Sequence, residues 1–134
     1  MASSDAAGLG ELERLSDPAA RNALALALGE ARDPGLPAVL VRLIQRPDLR
    51  DQRGTLVHVL GFYDCSEHVA LLAELVAEGN FEVAHEAFEI ADILDAIDDE
   101  DAQAAQAIIA KALTAKPADA WRVEMLRDLS DLLG

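Results

Sequence analysis

Helix punctuation leaves this chain the least freedom. Asp17-Pro18, Asp33-Pro34-Gly35, Pro47-Asp48, Gly79-Asn80 and Lys116-Pro117 cut it into short segments whose apolar residues recur three and four apart. Asp followed by Pro is an N-cap followed by a residue whose missing N–H would have had no helical partner anyway. Inside a helix, the same Pro would remove a bond and clash with the preceding turn. The punctuation predicts a first helix over about 5–15, then one from Pro18 to about Arg32 and another from Leu36 to about Gln45. Asp48 is expected to cap a helix running to about Phe62. Asp64 or Ser66 is expected to cap the next, with Gly79 as its left-handed C-terminal residue. Asn80 then opens a longer helix from Phe81 to about Ile97. The cluster Asp98-Asp99-Glu100-Asp101 starts another, because carboxylates favour a helix N-terminus. The last covers about Ala118 to Leu133. No segment alternates with the period of two that a strand requires, so the fold expected is all-α, with about seven to eight helices.

Composition agrees with that reading. Apolar residues make up 51% of the 134, aromatics only 4%, so the core must come mainly from Leu, Ala, Val and Ile. Such side chains suit helices packed closely on helices. The length suits a single domain over 1–134. No apolar run approaches the ~20 residues that cross a bilayer, and Met1-Ala-Ser-Ser-Asp5 lacks the positive start and apolar stretch of a signal peptide. Cys65 has no second cysteine to pair with, so the expected compartment is reducing, the cytoplasm by default.

The net charge of −14 argues against nucleic acid and against anionic membrane surfaces, both of which reward Lys and Arg. Its distribution is uneven. Residues 1–53 hold seven cations and eight acids, residues 111–134 four of each, and residues 54–110 thirteen acids with no Lys or Arg at all. Soluble proteins usually intersperse the two signs, so a one-sign field points to a basic partner or a cation.

The helices also repeat. A shift of 32 residues places Leu43-Ile44 on Leu75-Val76, Pro47 on Gly79, Asp48 on Asn80, Leu49 on Phe81 and Thr55-Leu56 on Ala87-Phe88. Each unit reads as an apolar helix, a breaker, a polar cap and a second helix, a hairpin of antiparallel helices. Stacked hairpins make an α-solenoid; an irregular bundle of the same helices is the alternative. The stretches from Gly54 to His68 and from Glu78 to Phe88, above all Gly-Asn-Phe-Glu-Val-Ala-His-Glu-Ala-Phe at 79–88, resemble small bacterial HEAT-repeat-like proteins associated with polymorphic toxin systems, over roughly residues 33–97. That resemblance implies a HEAT-like fold and the role of an immunity protein, which binds one cognate toxin domain and blocks it. The alternative is a cytoplasmic HEAT-like adaptor or scaffold whose partner is not a toxin.

The candidate site follows from helical geometry. At 100° per residue, Glu82, Glu86 and Glu89 fall within about 60° of one another, and Asp92 widens the arc to about 120° with His85 inside it. Like charges one turn apart destabilise a helix by a few tenths of a kcal/mol per pair, yet no Lys relieves them. The opposite side is read as presenting Phe81, Ala84, Phe88, Ala91 and Leu94. The partner-binding residues expected are therefore Glu82, His85, Glu86, Glu89 and Asp92, with Tyr63 as an aromatic anchor. Phe62 and Trp121 are further candidate anchors, with core packing as the competing role for all three. A merely solvated face is the competing role for the acidic arc. Arg42, Arg46, Arg50 and Arg53 form a basic flank whose roles are surface ion pairing or contact with acidic parts of a partner.

Other chemistry finds little support. Glu82-Val-Ala-His85 has the Glu-x-x-His spacing of di-iron carboxylate bundles, but those need a second copy. Cys65-x-x-His68 is half of a zinc site without its other half. Asp98–Asp101 lacks the order of a calcium loop. There is no glycine-rich phosphate loop, no nucleophile elbow and no His-Glu-x-x-His. Neither a catalytic residue, a metal nor a cofactor is expected, and the chain reads as a binding protein rather than an enzyme.

Overall fold

The structure is a computed structural model that describes residues 6–134. It is all-helical, with eight α-helices and no strand among the described residues: α1 (Ala6–Arg14), α2 (Pro18–Glu30), α3 (Leu36–Ile44), α4 (Gly54–Leu60), α5 (Val69–Glu78), α6 (Phe81–Asp92), α7 (Asp99–Thr114) and α8 (Ala120–Leu133). Asp5, expected to open the first helix, lies outside the described residues. None of the helices described is long and apolar enough to cross a membrane. The chain divides into two compact units at Tyr63 and Asp64.

In the first unit α1 packs on α2 and α3, and α4 packs on both α2 and α3. Its core holds Leu12, Ala25, Leu36, Leu40, Leu43, Ile44, Leu56 and Leu60. Asp17 caps α2 as expected, its carboxylate accepting from the Ala20 amide at 3.0 Å. The helix ends in a Schellman arrangement, the Asp33 amide donating to the Leu28 carbonyl and the Arg32 amide to that of Gly29. Arg32 takes the left-handed conformation there, with φ 57°. Gly29 permits the close approach of α2 and α4, since a Cβ on it would stand 2.6 Å from Val59 Cγ1.

The expected helix from Asp48 to Phe62 does not form as one piece. Pro47–Leu49 is a single 3-10 turn, and α4 starts only at Gly54. Asp48 is drawn away from capping by Arg46, whose guanidinium donates to its carboxylate at 2.7 and 3.0 Å. Arg53 occupies the gap, buried, with Nη1 donating to the Ile44 carbonyl at the open end of α3.

In the second unit α5 is the central helix, packed against α6, α7 and α8. That explains its near-continuous apolar sequence and the burial of Val69, Leu72, Ala73, Leu75 and Val76. Asp64 accepts from the amide and the hydroxyl of Ser66, at 3.0 and 2.7 Å, and so starts the turn Ser66–His68 that leads into α5. Between α5 and α6 the expected left-handed Gly79 is instead extended, with φ −74° and ψ 163°. Glycine is needed there for space: a Cβ would meet the Leu75 carbonyl oxygen at 2.6 Å and Val83 Cγ1 at 2.7 Å. Asn80 caps α6 as expected, accepting from the Val83 amide at 2.9 Å. The helix stops at Asp92 rather than near Ile97. Asp92, Asp95 and Asp98 put three carboxylates where the negative end of the helix dipole already sits, which disfavours continuation. Asp98 instead becomes the N-cap position of α7, with Asp99, Glu100 and Asp101 in its first turn. Gln106 and Ser130 tie α7 to α8 reciprocally, the hydroxyl donating to the Gln106 carbonyl and the Gln106 amide to the Ser130 carbonyl.

Candidate functional site

Helix α6 turns Val83, Ala84, Ala87, Ile90 and Ala91 inward. That choice of buried arc leaves Glu82, His85, Glu89 and Asp92 exposed and Glu86 half-buried. The expected acidic arc is therefore a real surface of the second unit. Glu82 sits in the first turn, where the helix dipole favours it; Asp92 ends the helix, where the dipole opposes it. His85 Nε2 lies 3.1 Å from Glu89 one turn on. Among the described residues Glu82 and Asp92 have no cationic partner.

Phe81 corrects the reading of the opposite side. It is 53% exposed rather than inward, because the apolar sector is centred on Val83, Ala84 and Ala87 and leaves Phe81 at its far edge. Its ring stacks on His85 with centroids 5.7 Å apart and meets the edge of Trp121 at 5.1 Å. The N-terminal turns of α6 and α8 thus touch through aromatic rings. Arg122 lies over the Trp121 ring at 4.5 Å and is itself held, with Nη1 donating to the Val76 carbonyl and Nη2 to Asp119.

From this contact a groove of about 500 Å³ runs between the two helices. Phe81, Phe88, Ile93, Trp121 and Met125 give it apolar surface; His85, Glu89, Asp92, Glu124 and Asp128 give it polar surface. Among the described residues no Lys or Arg lines it. Of the expected site residues it gathers His85, Glu89 and Asp92, whereas Glu82 and Glu86 do not reach it. Glu124, Met125 and Asp128 were missed by sequence reasoning. Their spacing from Trp121 of three, four and seven residues marks one face of α8 and was a usable signal.

Tyr63 belongs to the first unit. It is half-buried, and its hydroxyl donates to the Asp33 carbonyl at 2.8 Å. Loss of hydration, then the nearby Asp33 carboxylate, raises its pKa above the usual phenol value. The geometry gives Tyr63 a fold-bracing contact. The basic flank is used within the same unit: Arg42 pairs with Glu13 at 3.0 Å and Arg46 with Asp48 at 2.7 Å.

Among the described residues no three His, Cys, Asp or Glu side chains converge as metal ligands would. Cys65 is buried, and burial, with Asp64 beside it, pushes its thiol up to about 11. A thiolate is the nucleophilic and metal-binding form, so the position suits packing. Comparison with protein-family models, with curated proteins and with solved structures finds no match to this chain.

Proposed function

We propose that this is a binding protein that takes a basic protein surface on the carboxylate face of α6, and that its partner is a cognate toxin domain which it neutralises in the bacterial cytoplasm. One observation carries the binding reading. The exposed face of α6 keeps Glu82, Glu86, Glu89 and Asp92 together with no Lys or Arg on the helix, and it holds Asp92 at the end where the helix dipole opposes it. A face selected only for stability would have placed cations there. A toxin acting on nucleic acid or nucleotides carries a basic cleft, and an acidic face would be steered to it quickly and would compete with phosphate there. The resemblance of residues 54–68 and 78–88 to toxin-associated HEAT-like proteins supports the toxin as partner.

Growth rescue tests this reading. The chain is co-expressed with each toxin domain encoded beside it, alone and as E82K/E86K/E89K. Rescue by the native chain, lost in the variant at unchanged far-UV circular dichroism, is the expected result. Rescue that survives the triple reversal removes the acidic face from the account. Absence of any rescue, with a basic non-toxin protein co-purifying in a salt-sensitive way, favours the adaptor reading.

A further inference from the structure

The groove between α6 and α8 combines apolar and acidic surface on one preorganised frame. Two of the exposed large apolar side chains among the described residues, Phe81 at 53% and Ile93 at 71%, lie in it. Exposed apolar side chains gathered in one groove mark contact sites. Its aromatic end is fixed before any partner arrives: Phe81 is held between His85 and Trp121, and Arg122 pins the other ring. Rigid aromatic side chains of this kind are the usual energetic anchors of interfaces, because little entropy is left to lose.

We propose that this groove receives a basic amphipathic helix of the partner, with an apolar side chain seated on Phe81, Trp121 and Met125 and Arg or Lys side chains against Asp92, Glu124 and Asp128. The inference rests on the binding function above and names the part of the partner that is bound. Charge complementarity selects the occupant: among the described residues, four carboxylates and no Lys or Arg line the groove. The groove's shape selects a helix. Its walls are residue stripes at helical spacing, Phe81, His85, Phe88, Asp92 on one side and Trp121, Glu124, Met125, Asp128 on the other. Side-chain ridges of a third helix fit between two such stripes. From Phe81 to Ile93 the α6 wall is about 18 Å long, or roughly three turns. Apolar contact then falls at the aromatic end of the groove and carboxylate contact further along it, so the incoming helix lies lengthwise between the walls as in helix-in-groove recognition.

The chain has a single Trp, Trp121, so its emission reports on this groove directly. The full-length protein is titrated at low salt with a Trp-free peptide of about four turns made of Leu, Ala and Arg in amphipathic order. Two controls accompany it: the same peptide with Glu for Arg, and a scramble that keeps composition but has no apolar face. The expected result is a saturable change in Trp121 emission with the first peptide only. The dissociation constant should rise about tenfold or more in D92N/E124Q/D128N, and by a similar factor in Phe81→Ala, whose side chain is largely outside the core. Equal binding of the scramble would reduce the effect to general charge attraction and overturn the proposal. An unchanged constant in the neutralised variant, or emission that does not move, would overturn it too. Growth rescue separates its failure from that of the binding function: loss in E82K/E86K but not in D92N/E124Q/D128N would place the partner on the outer carboxylates and leave only the groove refuted.

Discussion

The two compact units spend their charges in opposite ways. Residues 1–63 carry seven cations against eight acids, and residues 64–134 four against seventeen. In the first unit the cations hold the fold. Arg21, 2% exposed, donates to the carbonyls of Leu15 and Ser16, Arg53 closes the end of α3, and Arg42 and Arg46 take up Glu13 and Asp48. In the second unit Arg122 does comparable work, on the Val76 carbonyl. Most of the acids there meet water or helix N-termini. Mixed charge consumed internally makes a scaffold; one-sign charge left outward makes a surface that something of opposite sign can recognise.

Arg21→Met gives the strongest way to break this contrast. It strands two carbonyls that Arg21 now satisfies, and should cost about 3 kcal/mol in urea unfolding. E82K/E86K in the second unit should change stability by less than about 0.5 kcal/mol. Comparable losses in both would mean that the outward acids are structural after all. Next in size is Gly79→Ala, which drives a methyl group against the Leu75 carbonyl at the α5–α6 corner. A loss of about 2 kcal/mol is expected; a neutral result would return Gly79 to the role of a conformational stop.

Lys116→Gly sharpens the comparison from the other side. Lys116 holds φ 54° just past α7, a left-handed position where a side chain costs about 1 kcal/mol. Glycine should recover about that much, raising the thermal midpoint. The smallest effect is on acid stability. Donation from Arg42 lowers the Glu13 pKa, and donation from Arg46 lowers that of Asp48. Depressed folded-state values mean that this stability is present above about pH 4 and is lost as pH falls through the folded values. Amide exchange in α1 and α3 should therefore quicken at acid pH, and Arg42→Gln should remove part of that dependence.

Local chemistry was legible in the sequence wherever the interaction was local. Asp17 and Asn80 cap the helices they were expected to cap, because each carboxyl or amide oxygen reaches an amide three residues on. Asp48 was misread because a guanidinium two residues away in the chain captured it. Gly79 was misread because its constraint is the space between Leu75 and Val83 rather than a positive φ. Tyr63 was expected as an anchor on its residue type, and its hydrogen bond to a carbonyl thirty residues back could not be read from local sequence.

The sequence by itself determined that this chain is helical, where most helices begin, and that residues 54–110 carry negative charge without a neutralising cation. Periodicity, capping and formal charge need no knowledge of distant neighbours. Only the tertiary structure decided which arc of α6 is buried, and with it that Phe81 faces outward to meet Trp121. That choice depends on how α6 rotates to fit α5 and α8, since several apolar arcs on one helix are nearly equivalent until a second surface selects among them.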